Sequence, residues 1–515
     1  MAIGVRQPPA CCGDPSAELV PPPAPFVDLP PTVQFAVLVT VGMLSSDRCP
    51  PCRASPDVPS GRLRRAGASW PSLRRREAGH GRHRTHGSRK GRTMNRRRFM
   101  ASTAGTSAAA YASSLPSAAA AQADLNDLAS LWDVDRSVAN LENAYWGVMP
   151  RSVEREYDRQ TRFLNRHNVT FVRDGIPGHE RTVAMDNVRA EVAALMGVAK
   201  EEFTLTRNGT EAMQNLIMQY GALKPGDSVM YADLDYDEMQ QAMESLRQYR
   251  GVDVIKFAIP EPATTANILE AYQAQLNAAP AGLKLLLVTH LSNRTGIVMP
   301  VREIVNMARS RGVDTLVDAT QTIGHLDYTL QDLDADYVGF SLHKWLCAPI
   351  GTGAIWIRGT KLHRIEPCMG NTMLPAEDTR SRSSVGTVNF AAALTVPKAI
   401  EFHRWIGGQR KQRHLQSLRD YWVERVRDIP GMEILTPDDP ARHGAVTSFR
   451  LPAMKDYVQA QKMSKLLLEK HKILTVARRG IERGSVVRVT PTLYNTRSEL
   501  DRLVKALRLE SRAFG

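Results

Sequence analysis

Cysteine is scarce in this 515-residue chain: there are six, and four of them (Cys11, Cys12, Cys49 and Cys52) fall within the first 93 residues. Beyond residue 93 only Cys347 and Cys368 remain, which excludes a disulfide-stapled scaffold for the body of the chain. Cys49-Pro-Pro-Cys52 has CxxC spacing, but no second pair accompanies it and no strand–helix–strand pattern surrounds it. A metal or redox site is not expected there. Long apolar runs are also missing: after residue 121 none is long enough to span a bilayer. Nor does the body carry much surplus charge. The formal net charge is +14, yet residues 1–93 hold 14 Lys and Arg against 6 Asp and Glu. Arg96, Arg97 and Arg98 bring that surplus to 11, leaving +3 for residues 99–515. The basic character belongs to the leader and gives no ground for nucleic-acid binding.

Residues 1–93 are crowded with Pro, Arg and Gly and show no sustained amphipathic period, so they read as a disordered or upstream-misassigned extension. The character changes at Met94. Asn95-Arg96-Arg97-Arg98-Phe99-Met100 leads into a mildly apolar Ala/Ser/Gly stretch as far as Leu115, and Ala119-Ala120-Ala121 offers small residues for cleavage. This is the three-part layout of an export signal over residues 94–121. Adjacent arginines before Phe99 resemble the twin-arginine type. The expectation is passage through the twin-arginine translocase as a folded protein, a periplasmic location, and no membrane attachment after cleavage.

From residue 122 the pattern is strand, helix, strand, repeated, which predicts a mainly parallel α/β sheet covered on both faces. Residues 124–138 predict a first helix, and 141–150 an ordered loop in which Tyr145 and Trp146 either line an entrance or pack. Phe203-Thr-Leu-Thr-Arg-Asn-Gly-Thr runs strand, turn, helix. Gly209 there allows close backbone approach, Thr210 can cap the helix, and the free amides suit a phosphate. Tyr236, just after a strand at 228–231, is a candidate for stacking on a flat ring, with plain packing as the alternative. The stretch 316–344 organises the rest. Two short apolar runs, 314–317 and 336–341, have the make-up of buried strands, and polar residues follow each: Asp318 and Gln321, then His343 and Lys344. Ligands of open α/β sheets sit outside the carboxyl ends of the strands. A lysine there, near an acid from the neighbouring strand, suits pyridoxal 5'-phosphate (PLP): the amine holds the aldehyde and the carboxylate pairs with the pyridinium nitrogen. From about residue 390 the pattern shifts to long helices and short strands, so we expect a PLP-binding body at 122–390 and a smaller α+β domain at 391–515.

Taken together these residues resemble the class V aminotransferases of the fold-type I PLP-dependent superfamily, over nearly all of 125–510. Relatives include cysteine desulfurases, kynureninase and isopenicillin-N epimerase. His343-Lys344-Trp345-Leu346, with Ala348-Pro349 and Gly351, is most similar to the isopenicillin-N-epimerase-like group. The resemblance implies a seven-stranded-type sheet, a homodimer and a set of roles. Lys344 is the Schiff-base lysine. Asp318 binds the ring nitrogen, and Gln321 the ring oxygen. Gly209, Thr210, Ser341 and His343 hold the phosphate. Asn293 lies beside the ring oxygen or the substrate. Thr387 reaches the partner chain's phosphate, Tyr236 stands where relatives have an aromatic or His, and Arg488 clamps a substrate carboxylate. No metal is implied. The activity implied is epimerisation or amino transfer at the Cα amino group of an amino acid, peptide or amino-acid-like side chain. For an exported member, the substrate could belong to a secreted peptide or siderophore. A non-catalytic binding protein would have lost the lysine or the aspartate, and both are present. The desulfurases need a mobile cysteine near the substrate arginine, and this chain has none after Cys368.

The leader reading is testable. In a host with twin-arginine export, the chain starting at Met94 should reach the periplasm, and Arg96→Lys with Arg97→Lys should keep it inside. Fractionation showing periplasmic delivery of the double variant would count against the motif.

Overall fold

The computed structural model describes residues 125–514, apart from 372, 385 and 482. The expected extension and export signal lie outside the described residues. Leu283–Thr289, with the sequence LKLLLVT, is a strand buried at all but one position. Such continuous burial marks a parallel strand covered on both faces. It lies inside a seven-stranded sheet ordered Phe203–Thr206, Gly353–Ile357, Tyr337–Ser341, Asp314–Asp318, Leu283–Thr289, Ser228–Ala232, Asp253–Phe257. The last five run parallel, and Gly353–Ile357 is antiparallel to both its neighbours. Side chains alternate between faces along each strand. Leu286, Val288, Val317 and Val338 join the helices Arg181–Met196 and Val301–Arg309 on one side, while Leu285, Leu287, Leu316 and Tyr337 join Gly209–Met218 and Asp237–Arg250 on the other.

A second, antiparallel sheet is ordered Val476–Ile481, Gly484–Val489, Thr447–Arg450, Glu433–Ile434. The helices Gly408–Glu424, Tyr457–His471 and Arg497–Glu510 cover it through Leu418, Trp422, Met463, Leu467, Leu500 and Leu503. The start of the described chain joins this unit: Ala139–Asn140 pairs in parallel with Ile473–Leu474. Among the described residues no helix is long and apolar enough to cross a membrane.

Several local expectations change. The helix expected over 124–138 is a short 3-10 helix, Leu125–Leu131, followed by a turn in which the Ser137 amide donates to Asp135. Long-range contacts hold that turn in place of a helical ladder, notably Arg136 donating to the Tyr494 carbonyl at 2.9 Å. Asn208, not Thr210, caps the helix Gly209–Met218, accepting from the Glu211 amide at 2.8 Å. Val183, on the helix Arg181–Met196, is exposed. Tyr457–His471 is a helix, with buried Ala460, Met463 and Leu467 recurring at helical spacing, and Val476–Ile481 is a strand.

Gly296 links the two sheets at close range. Its φ is +86°, and a Cβ would lie 2.0 Å from the Val446 carbonyl oxygen. Gly312 has a similar φ of +70° but open space around it. Gly312→Ala should therefore lose only about 1 kcal/mol, the left-handed backbone penalty. Gly296→Ala should lose at least about 3 kcal/mol, because the backbone must also move. Denaturant unfolding of the two variants compares them directly.

Candidate active site

Parallel strands bring their carboxyl ends to one edge, and a cavity of about 810 Å³ opens there. Asp318 ends one strand and Ser341 ends the next, with Asp318 opposite Gly339 in register. Lys344 follows three residues later. Gly209, Thr210, Tyr236, Asn293, Gln321 and His343 also line the cavity, as does Arg488 from the second sheet. Thr387 does not; it is exposed on the surface of the single chain.

The electrostatics follow from burial. Desolvation pushes the Lys344 ammonium down to about 8; Asp318 opposes this, Arg488 and Arg478 add to it, and Glu142 opposes it more weakly. Burial raises the Asp318 carboxyl above its usual value, against the Thr320 amide, which donates to Oδ1 at 2.9 Å, and against the charge of Lys344. His343 is also buried, which lowers its imidazole, and its Nδ1 donates to the Thr352 carbonyl at 2.9 Å. That bond directs the other ring nitrogen to any ligand. The Tyr236 phenol is pushed up to about 12, chiefly by burial and then by Glu238.

The phosphate end is built from Gly209–Met218 and the end of Tyr337–Ser341. The Gly209 amide donates to Ser341 Oγ at 2.9 Å, so it is not free for an anion as the sequence suggested. With the Glu211 and Ala212 amides on Asn208, the Thr210 amide is the donor left at this helix start. The Ser341 hydroxyl accepts from Gly209 and keeps its own proton to donate. A Cβ on Gly209 would crowd Thr320 Oγ1, so a larger residue there would have to displace that side chain. At the ring end, Gln321 donates to the Ala144 carbonyl at 3.0 Å and accepts from Trp345 Nε1 at 2.9 Å. One amide hydrogen of Gln321 remains for a ligand. Both polar atoms of the Asn293 side chain are buried without a partner, as is Thr289 Oγ1. Orphaned polar groups in a cavity of this size fit a polar aromatic ligand.

Arg488 departs from expectation. Its partner was expected to arrive with the substrate. Instead its guanidinium donates to Glu142 Oε1 at 2.5 Å and to the Asn293 carbonyl at 2.7 Å. A fully buried cation without a fixed anion would be costly, and the loop 141–150 supplies the anion. Glu142 was not among the expected site residues. No local pattern marks it, because Leu141-Glu-Asn-Ala-Tyr-Trp-Gly reads as a loop and the partner of Glu142 lies 346 residues away. In the same loop the Gly147 amide donates to the His343 carbonyl at 2.8 Å, and Tyr145 and Trp146 lie partly exposed against the cavity.

A model of the aminotransferase class-V family matches residues 155–503. The chain belongs to that family. Among class-V relatives, the isopenicillin N epimerase of Streptomyces clavuligerus is 28% identical over 394 residues, covering 73% of this chain and 95% of that enzyme. A cysteine desulfurase of Pectobacterium carotovorum is 27% identical over 396 residues, covering 73% of this chain and 94% of the relative. A solved structure of the cystine C–S lyase C-DES, with glycine covalently linked to its PLP cofactor, superposes with a TM-score of 0.62 at 18% identity. It covers 74% of this chain and 97% of that one. The fold is therefore fold-type I, and pyridoxal 5'-phosphate is the cofactor. The residues present fit it: Thr210, Ser341 and His343 would hold the phosphate, Asp318 the ring nitrogen, Asn293 and Gln321 the ring oxygen, and Lys344 the aldehyde carbon.

The Lys344 amine reacts only when neutral, so its reactivity should grow as the pH passes its pKa. Borohydride-trapped labelling of cofactor-free protein by PLP should rise through about pH 8 and flatten above it. Asp318→Asn removes a charge that holds the proton on the amine, so the inflection should move lower. A wild-type profile still rising at pH 10, where ordinary lysines titrate, would refute this account of the site.

Proposed function

We propose that this class-V protein is a PLP-dependent enzyme acting at the Cα amino group of an amino acid or an amino-acid-like side chain, in the manner of the isopenicillin-N-epimerase-like group. The observation that carries this reading is the pairing of a buried, easily deprotonated Lys344 with the buried Asp318 at one strand edge. When bound, the cofactor supplies an electron sink for charge developing at the substrate's α carbon. Asp318 keeps a proton on the ring nitrogen, because a buried carboxylate favours a cation beside it. Lys344, near neutrality, can take the α proton and hold it. Return of that proton to the opposite face gives epimerisation; loss of the amino group to an acceptor gives amino transfer. Both activities fit this site.

Cysteine desulfuration is disfavoured. Cys347 is buried with its thiol pushed up by desolvation, and neither it nor Cys368 lines the cavity. A low, accessible thiol is what that chemistry requires. Retention of both Lys344 and Asp318 argues against a non-catalytic binding role. We infer a homodimer in which the exposed Thr387 faces the second copy's phosphate site, and a periplasmic location with substrates in secreted peptides or siderophores.

Residues 123–515, purified with cofactor, should change absorbance with some members of a panel of amino acids and peptides. Chiral analysis should then detect either inverted product or the keto product. Borohydride should fix the cofactor on the peptide containing Lys344, and Asp318→Ala should lower kcat by about 100- to 1000-fold. Label on another lysine, or no response to any amino compound, would sink the reading.

A further inference from the structure

The active-site cavity changes character from floor to mouth. Asp318, Ser341 and His343 are buried in it, whereas five of its lining residues are exposed: Tyr145, Trp146, Arg207, Glu238 and Ile350. Arg207 and Glu238 are charged rim residues, and Arg207 is already paired with Glu211. The other three are large and apolar. Tyr145 is 66% exposed, Trp146 47% and Ile350 59%. Single apolar side chains on a surface need no explanation, but a group of them along the edge of a cavity marks a surface that binds something.

Tyr145 and Trp146 are held in place from both sides. The Ala144 carbonyl accepts from Gln321 at 3.0 Å, the Gly147 amide donates to the His343 carbonyl at 2.8 Å, and the Val148 carbonyl accepts from Trp132 Nε1 at 2.9 Å. Ala144 and Pro150 are buried, so the loop is most exposed at the two aromatics between them. Their rings meet edge to face, with centroids 5.3 Å apart and planes at 62°. Two of the three anchoring bonds end on cofactor-site segments, one on Gln321 and one on the carbonyl just before Lys344. The ring pair therefore stands beside the lysine segment. A ligand meeting a surface already pinned this way has little left to order. Val148, Leu474 and Val476, all partly buried, continue the apolar lining inward.

We propose that Tyr145 and Trp146 determine specificity for the part of the substrate farthest from the reacting carbon, and that this part is a large apolar group carrying an aromatic ring. The cavity is continuous from Lys344 to the ring pair, so one molecule can meet both. A flat ring lying against the pair covers apolar surface that the chain leaves in water and gains edge-to-face or offset contacts with two rings at once. A small side chain would reach neither. This inference rests on the proposed action at an amino group, but its test need not.

Titration calorimetry of the holoenzyme with 3-phenylpropanoate and with propanoate reads the subsite without turnover, since neither probe has an amino group. The wild type should bind the phenyl probe at least about 10-fold more tightly. Tyr145→Ala with Trp146→Ala should bring the two probes within about threefold of each other, with propanoate binding and cofactor absorbance unchanged. Trp146→Phe should keep most of the preference, and Trp146→Ser should lose part of it. With amino compounds that turn over, the double variant should raise KM for those bearing an aromatic ring more than for alanine. A wild type that separates the probes by less than about threefold would overturn the assignment. So would a double variant that keeps the wild-type preference. A double variant that sediments as a smaller species than the wild type would assign the ring pair to a contact between copies of the chain instead. If no amino compound turns over yet the double variant loses the preference, the proposed activity fails and the apolar subsite stands.

Discussion

The segment from Ala139 to Gly147 is the constraint on which the cleft depends. Its amides at Ala139 and Leu141 donate to the carbonyls of Lys472 and Leu474, and the Thr490 amide donates to the Leu141 carbonyl. Asn143 donates to the Thr490 carbonyl at 2.8 Å. Further along, the Ala144 carbonyl accepts from Gln321, and the Gly147 amide reaches the His343 carbonyl. One short stretch thus ties the second sheet to both polar ends of the first. Glu142 sits midway and adds a buried ion pair to Arg488. A Cβ on Gly147 would lie 2.0 Å from the Lys344 carbonyl oxygen, so the loop presses directly on the lysine segment.

That geometry sets the charge balance of the cavity. Burial alone would make a lysine at position 344 easy to deprotonate, and two nearby arginines push the same way. Asp318 and Glu142 restrain the shift, and it stops near neutrality. An amine poised there can both hold and release a proton under ordinary conditions. Arg488 itself is pushed down to about 10 by its burial, which Glu142 offsets. The pairs Lys344–Asp318 and Arg488–Glu142 are therefore parts of one electrostatic system.

The central strands were legible because burial on both faces leaves a continuous apolar run, as in Leu283–Thr289. The lysine and aspartate were legible because each follows such a run at its polar end. The first helix was not: 124–138 has helical composition, but contacts from Arg136 and Trp132 to distant residues override it. Asn208 was passed over as a cap in favour of Thr210, two positions on, since both are good capping residues and spacing does not separate them. Glu142 was invisible for a different reason. Its partner lies 346 residues away, and no local pattern encodes so distant a charge pair.

That separation bears on synthesis. The stretch 139–147 leaves the ribosome well before Leu474, Arg488 and Thr490 do. Contacts between distant parts of a chain form late and slowly. Until Thr490 is available, Glu142 lacks its cation, Leu141 its hydrogen-bond partner and the cavity one wall. The large sheet can begin to assemble on a nascent chain, but the cleft is finished only once Thr490 has emerged. A truncation removing even the last short strand of the second sheet would leave a lysine and an aspartate in place with no closed pocket around them.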